Sequence, residues 1–181
     1  MKQYHPTLDA IRFCPKCGAP IGTPQRENHM ECARCGFVLF FNAALAAAVL
    51  LRDASGKLLL TRRAMEPAKG KLAFPGGFAD IFETPEAAAC RELAEECGMA
   101  LSPQDMTCFF CGFNRYLYRG VTYVSTDLYF KADVAGFSSA RPLDESAEIV
   151  CLRPGEIDPE ELSSDSARNA LRRFMELEQQ S

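Results

Sequence analysis

Three glutamates, Glu92, Glu95 and Glu96, fall within five residues just before Gly98, and Glu83 precedes them. On an α-helix each residue turns about 100°, so Glu95 and Glu96 lie about 60° and 40° to either side of Glu92, on one face. Two carboxylates about 6 Å apart repel by roughly 3 kcal/mol at an effective dielectric near 20. A divalent cation that takes oxygen ligands, Mg²⁺ or Mn²⁺, is the simplest compensation. The competing explanation is a solvated acidic face, and "RELAEE" taken alone fits it. Arg91 beside the cluster can hold a carboxylate in one rotamer through a bidentate pair, with Glu83 as its candidate partner. Gly76 and Gly77 let backbone approach a metal or a phosphate without interference from a Cβ.

A second set of ligands stands near the N-terminus. "CPKCG" (14–18) and "CARCG" (32–36) are two C-x2-C-G knuckles. Cys14, Cys17, Cys32 and Cys35 complete a closed tetrahedral set of four thiolates, which suits structural Zn²⁺ and leaves no position for water. Such a metal would staple roughly 25 residues that cannot build a core alone. "CFFCG" (108–112) is a third C-x2-C. In a strand its cysteines face opposite sides, so they are expected in the sheet core.

The glutamates need a helix, expected at about 85–97. Thr84 suits the N-cap, Pro85 the first helical position and Gly98 the position just past the end. Its other side carries Ala88, Ala89, Leu93 and Cys97, which can pack closely on a sheet. "ALAAAVLLR" and "KLLLTRR" read as strands joined by a turn at 53–56, "LAF" (72–74) as a short strand, and "AEIVCLR" (147–153) as another. Residues 107–118 and 122–132 read as a hairpin turning at Arg119-Gly120, with Val124, Thr126, Leu128 and Phe130 on one face. Ala167, Ala170, Leu171, Phe174 and Met175 recur at helical spacing and predict a closing helix over about 165–179. Strands alternating with single helices point to an α/β fold, a mixed sheet between helices. The expected organisation is a loose leader at 1–11, a cysteine module at 12–37 and one domain at 42–181.

Composition narrows the class. Hydrophobic residues at 48% and charged residues at 24% are an ordinary globular balance. No apolar run approaches the roughly 20 residues of a membrane span, and "MKQYHPTLDAIRF" lacks the apolar core of a signal peptide. The net charge of −4 argues against a general nucleic-acid binder. Nine cysteines with no export signal suggest reduced thiols, a metal site and a cytoplasmic location.

From Gly77 the text reads G-x5-E-x7-R-E-L-x-E-E-x-G-M, which resembles the Nudix box of the Nudix hydrolases. The resemblance covers about residues 42–155. It implies the Nudix α/β/α sandwich and Mg²⁺-dependent hydrolysis of a nucleoside diphosphate linked to another group. By the same resemblance Glu92, Glu95 and Glu96 are metal ligands, Arg91 and Glu83 orient them, and the Gly76 carbonyl adds a ligand. The proton-accepting base varies among relatives: Glu92 is the candidate within the box, and Glu145 and Glu148 in "LDESAEIV" are the later ones. The cysteine module resembles the zinc ribbon ahead of some Nudix domains, including NADH and FAD pyrophosphatases. That similarity favours a dinucleotide-type or nucleotide-sugar substrate such as ADP-ribose, NADH or FAD, split to AMP and a monophosphate.

The specific substrate cues are absent. "CFFCGFNRYLYRG" stands where the NADH enzymes carry a motif like SQPWPFPxS, and Arg115 where ADP-ribose hydrolases often have proline. Tyr116, Tyr118, Tyr123 and Phe113 are candidates for stacking on an adenine or flavin ring. Lys69 and Lys71 flank the loop before the box and are expected to be solvated. A house-cleaning nucleoside triphosphate pyrophosphatase is the alternative, and a catalytically silent ligand sensor a second. Relatives of this architecture are commonly homodimers. Phe82 stands where many relatives have glycine before the first box glutamate. A positive φ there disfavours Phe, so the loop is expected to take another path or to carry an aromatic at the mouth of the site.

Overall fold

The computed structural model describes residues 5–22 and 28–180, which fall into two compact units. Residues 1–4 of the expected leader, 23–27 of the expected cysteine module and Ser181 lie outside the described residues. The first unit takes the residues up to Ala44 together with Arg115–Ser125; the second takes Leu45–Asn114 and the residues from Thr126 onward.

In the first unit, strands β1 (His29–Glu31) and β2 (Val38–Phe40) pair antiparallel, Met30 opposite Leu39. The segment expected as a loose leader holds a 3-10 helix, Pro6–Ala10, with Leu8 buried. Thr7 Oγ1 donates to the carbonyl of Thr122 at 2.8 Å, tying this helix to the tip of the hairpin. No helical period signals so short an element, which explains why the sequence reading left it unstructured.

The second unit is a mixed seven-stranded sheet with a helix on each face. The strands are β3 (Ala44–Asp53), β4 (Leu58–Arg63), β5 (Leu72–Ala73), β6 (Gly76–Phe78), β7 (Thr107–Tyr118), β8 (Val121–Val134) and β9 (Ser146–Leu152); β3, β7 and β8 each run past this unit's boundary. The main order is β5-β4-β3-β8-β7, with β6 on β3 and β9 on β4. The helices are α1 (Pro85–Cys97) and α2 (Asp165–Glu178).

Alternation along the central strands divides the core. Ala47, Val49 and Leu51 of β3 and Leu59 of β4 pack with Ala88, Ala89, Leu93 and Cys97 of α1. Leu50 of β3 and Leu58 and Leu60 of β4 pack with Ala167, Ala170, Leu171 and Phe174 of α2. Successive side chains point to opposite faces, so an uninterrupted apolar strand satisfies both cores at once. That is the physical content of the runs "AAAVLL" and "LLL".

Both helices start and stop as their residues dictate. Thr84 Oγ1 accepts from Ala87 N–H at 3.3 Å, and Gly98 sits left-handed at φ 65° with its N–H on the Ala94 carbonyl. Ser164 Oγ caps α2 from Ala167 N–H at 3.1 Å.

Local structure departs from the sequence pattern at three places. Gly76–Phe78, whose glycines read as a break after the short strand at 72–74, is strand β6, with Ala46 opposite Phe78 and Ala48 opposite Gly76. Its two glycines hid the strand signal. Cys108 and Cys111 are exposed rather than in the core, because β7 ends the sheet order; Phe109 and Phe110 between them pack against the core. The other face of β8 buries Ser125, Asp127 and Tyr129, polar groups that the apolar pattern of the strand did not flag. Among the described residues no helix is long and apolar enough to cross a membrane.

Candidate active site

α1 and β6 face each other, and Arg91 joins them. Its Nε and Nη2 donate to the two oxygens of Glu83 at 3.0 and 2.9 Å, the bidentate pair expected from the sequence. Nη1 donates to Glu92 at 2.8 Å and Glu95 at 2.9 Å, and Nη2 also reaches the Phe78 carbonyl at 2.9 Å. The planar guanidinium can serve these acceptors together because its donors fan out in fixed directions. These hydrogen bonds hold Glu83 below the usual carboxylate range, helped by the N–H of Asp80.

Glu96 behaves differently. It is buried, accepts from Gly76 N–H at 3.3 Å, and is pushed up to about 7, chiefly by burial. The charges of Glu92 and Glu145 push the same way, against the pull of Arg63. Burial also raises Glu92, opposed by Arg91 and assisted by Glu95 and Glu145. Five carboxylates thus share a neighbourhood with Arg91 and Arg63, and Glu92 and Glu96 resist ionisation. They are not gathered around one point. Among the described residues only the four cysteines have ligand atoms all within 4.8 Å of one another, and Arg91 stands between Glu92 and Glu95.

The glycines before the helix do specific work. A Cβ on Gly76 would lie 2.3 Å from the Ala47 carbonyl oxygen, so Gly76 lets β6 lie against β3. A Cβ on Gly77 would lie 2.4 Å from Glu92 Oε1, so Gly77 makes room for that carboxylate. Both roles concern the protein's own backbone and side chains, and the sequence reading had assigned them to a ligand. Gly77→Ala is therefore expected to displace Glu92 and to destabilise the fold by about 1–3 kcal/mol. The midpoint of urea unfolding checks the stability, and an unchanged midpoint would mean that the carboxylate moves aside at no cost.

Tertiary structure separates the two later glutamates. The loop Arg141–Ser146 docks on the end of α1, with Arg141 N–H on the Cys97 carbonyl and Leu143 N–H on the Glu96 carbonyl, each at 3.0 Å. Ala64 N–H bonds the Glu145 carbonyl at 2.8 Å. These bonds bring Glu145 close enough to act on Glu92 and Glu96 by charge. Glu148 lies within β9 and pairs with Arg62 at 2.9 Å. Arg63, whose Nε reaches the Pro67 carbonyl at 2.8 Å, is a site neighbour that the sequence reading missed; nothing local to "TRRA" marks it. Lys71, expected to be solvated, reaches the Glu160 carbonyl at 3.0 Å.

The tyrosine candidates and the cysteines lie in the first unit. Tyr116 and Tyr123 stack with ring centroids 5.7 Å apart, and Tyr118 lies under Arg119; the carboxylates belong to the second unit. Phe113, on β7, is exposed. In the knuckles, Gly18 N–H bonds the Cys14 carbonyl and Gly36 N–H the Cys32 carbonyl, with φ of 69° and 68°. The sulfurs of Cys14 and Cys35 are 3.8 Å apart, those of Cys17 and Cys32 3.7 Å. A tetrahedron of sulfurs about 2.3 Å from a central zinc has edges of about 3.8 Å, so the cluster has the size that ion needs. The backbone N–H of Cys35 holds the Cys32 thiol down to about 7.

Comparison with known proteins gives the class. The NUDIX domain family matches residues 43–177, and the chain belongs to it. The sequence is 41% identical over 61 residues to the 8-oxo-dGTP diphosphatase of Escherichia coli K12, covering 33% of this chain and 46% of that protein. It is 31% identical over 95 residues to the NAD-capped RNA hydrolase NudC of Haemophilus influenzae PittGG, covering 52% of this chain and 36% of that protein. The matched stretches span less than half the length of either relative. A NUDIX hydrolase from Nitrosomonas europaea has the same fold, with a TM-score of 0.66 at 23% identity over 92% of this chain and 91% of that one.

Proposed function

We propose that this protein hydrolyses the diphosphate linkage of a nucleotide joined to a second group, giving AMP and a partner monophosphate. The observation that carries the reading is buried Glu96, which accepts from Gly76 N–H at 3.3 Å and shares its helix with Glu92 and Glu95, both held by Arg91. An all-oxygen donor set of this charge suits Mg²⁺ or Mn²⁺. Held by Glu92, Glu95 and Glu96, with the Gly76 carbonyl as a further donor, such ions would neutralise the diphosphate and lower the pKa of water.

The remaining work falls to the chain. Arg91, held by both oxygens of Glu83, keeps Glu92 and Glu95 in fixed rotamers. Glu145 takes a proton from the attacking water as the new P–O bond forms and the bridging P–O bond breaks, its electron pair leaving with the departing monophosphate. Glu145 is preferred over Glu148 because it acts on the enclosed carboxylates while Glu148 is committed to Arg62. Glu145→Gln is expected to slow turnover by about 10²–10⁴-fold. Glu148→Gln should leave turnover within about threefold, since it loses one partly exposed ion pair. The reverse order would move the base to Glu148.

The four cysteines, by size and donor type, are proposed to hold structural Zn²⁺. A nucleoside triphosphate substrate is the second reading, supported by the similarity to the E. coli 8-oxo-dGTP diphosphatase. The test incubates the protein with Mg²⁺ and ADP-ribose, NADH, FAD, diadenosine polyphosphates or nucleoside triphosphates and reads products by mass spectrometry. AMP plus a monophosphate supports the first reading, and pyrophosphate from a triphosphate supports the second. No Mg²⁺-dependent product from any of them would refute both.

A further inference from the structure

The turn that leads into α1 breaks a local rule. Glu83 N–H donates to the Asp80 carbonyl at 3.1 Å, closing a four-residue turn. Phe82, its third residue, has φ 69°, whereas Ile81 is not left-handed. That combination is a type II turn, whose third position belongs to glycine. The conformation expected to exclude Phe is therefore kept. Among the described residues no packing offsets it: Phe82 is 103% exposed and Ile81 85%. A strained backbone carrying two large apolar side chains into water contributes no packing, and strain of this kind collects at functional sites.

The base of the turn is tied to the carboxylates. Asp80 N–H bonds Glu83 Oε2 at 2.9 Å, the two oxygens of Glu83 hold Arg91, and Arg91 holds Glu92 and Glu95. The two ends of the turn that carries the apolar tip, Asp80 and Glu83, are thus fixed to the face proposed to bind diphosphate. Phe78, whose carbonyl accepts from Arg91, is also partly exposed on the same segment.

We propose that Phe82, with Ile81 beside it, is a specificity-determining wall on which the ring of the nucleotide substrate stacks. This rests on the nucleotide reading above. Stacking on an aromatic side chain tolerates any base, so the wall selects for an aromatic group beyond the diphosphate rather than for one particular base.

The test uses the full-length protein and Phe82→Gly, with Phe82→Trp as the conservative variant. Glycine relieves the left-handed strain, so Phe82→Gly is expected to melt about 2–4 °C higher. For whichever adenine-containing substrate the panel identifies, KM should rise about 5- to 100-fold with kcat within about twofold, and Phe82→Trp should restore KM. Binding of a non-hydrolysable ADP analogue with Mg²⁺, followed by calorimetry, should weaken by the same factor. A KM and an affinity equal to wild type in Phe82→Gly would overturn the wall, as would no binding of the analogue to the wild type. Binding that weakens in Phe82→Gly in a protein that hydrolyses nothing would uphold the wall and refute the hydrolase reading instead.

Discussion

Glu96→Gln is expected to abolish Mg²⁺-dependent turnover and, in the same protein, to stabilise the metal-free fold at alkaline pH. The first effect follows from removing a charge proposed to hold the cation, with a loss of about 10²–10⁴-fold. The second follows from burial. Glu96 is raised from 4.5 to about 7, so the folded state binds its proton more tightly than the unfolded state does. Its stabilising contribution is complete below about pH 4.5 and is lost as the pH rises through 7. A shift of this size corresponds to about 3 kcal/mol, or roughly 6–12 °C in melting temperature for a chain of this length. Gln carries no such dependence.

Melting curves of both proteins at pH 5 and pH 8, in Mg²⁺-free buffer without chelator, measure the difference. The gain of the variant over wild type should grow with pH and shrink when Mg²⁺ is added, because only the wild type keeps the ligand charge. Parallel pH profiles for the two proteins would show that burial does not hold the Glu96 proton.

The second large effect concerns the cysteines. Freshly purified protein is expected to contain one zinc per chain, and removing it should unfold the first unit. The core around the cluster consists of Cys14, Ala19 and Cys32, with Cys17, Ile21, Cys35 and Phe37 packed against it. So little apolar area cannot offset the entropy of ordering that segment, whereas a four-thiolate zinc site contributes on the order of 10 kcal/mol in small domains. Hydrogen exchange before and after treatment with a strong chelator gives the readout. Amides of the described part of residues 5–44 should lose their protection, and Cys32→Ser should reproduce the loss without chelator. Zinc-free protein with full protection in this segment would refute a structural metal.

Both predictions start from residues that can be recognised without coordinates, and the reason is locality. The helix over 85–97 was legible because Thr84, Pro85 and Gly98 are start and stop signals within a turn of its ends. The strands at 44–53 and 58–63 were legible because doubly buried strands are apolar without interruption. The knuckles were legible because four sulfurs at that spacing have few other uses. Elsewhere local signals misled: β6 hid behind its glycines, and Cys108 and Cys111 looked like core until β7 proved to end the sheet.

The sequence by itself determined the two clusters of candidate ligands, the helix that displays the glutamates and the two-sided sheet beneath it. Only the tertiary structure decided how those groups are arranged. Arg91 is shared among Glu83, Glu92 and Glu95, Gly77 yields its space to Glu92, and Glu148 pairs with Arg62 while the loop carrying Glu145 docks on the end of α1. The tip at Phe82 keeps a glycine's conformation. The physical reason is range. Caps, knuckles and alternation act over one to four residues, whereas burial and charge coupling at Glu96 depend on segments that lie 20 to 50 residues away in the chain, at Gly76 and Glu145.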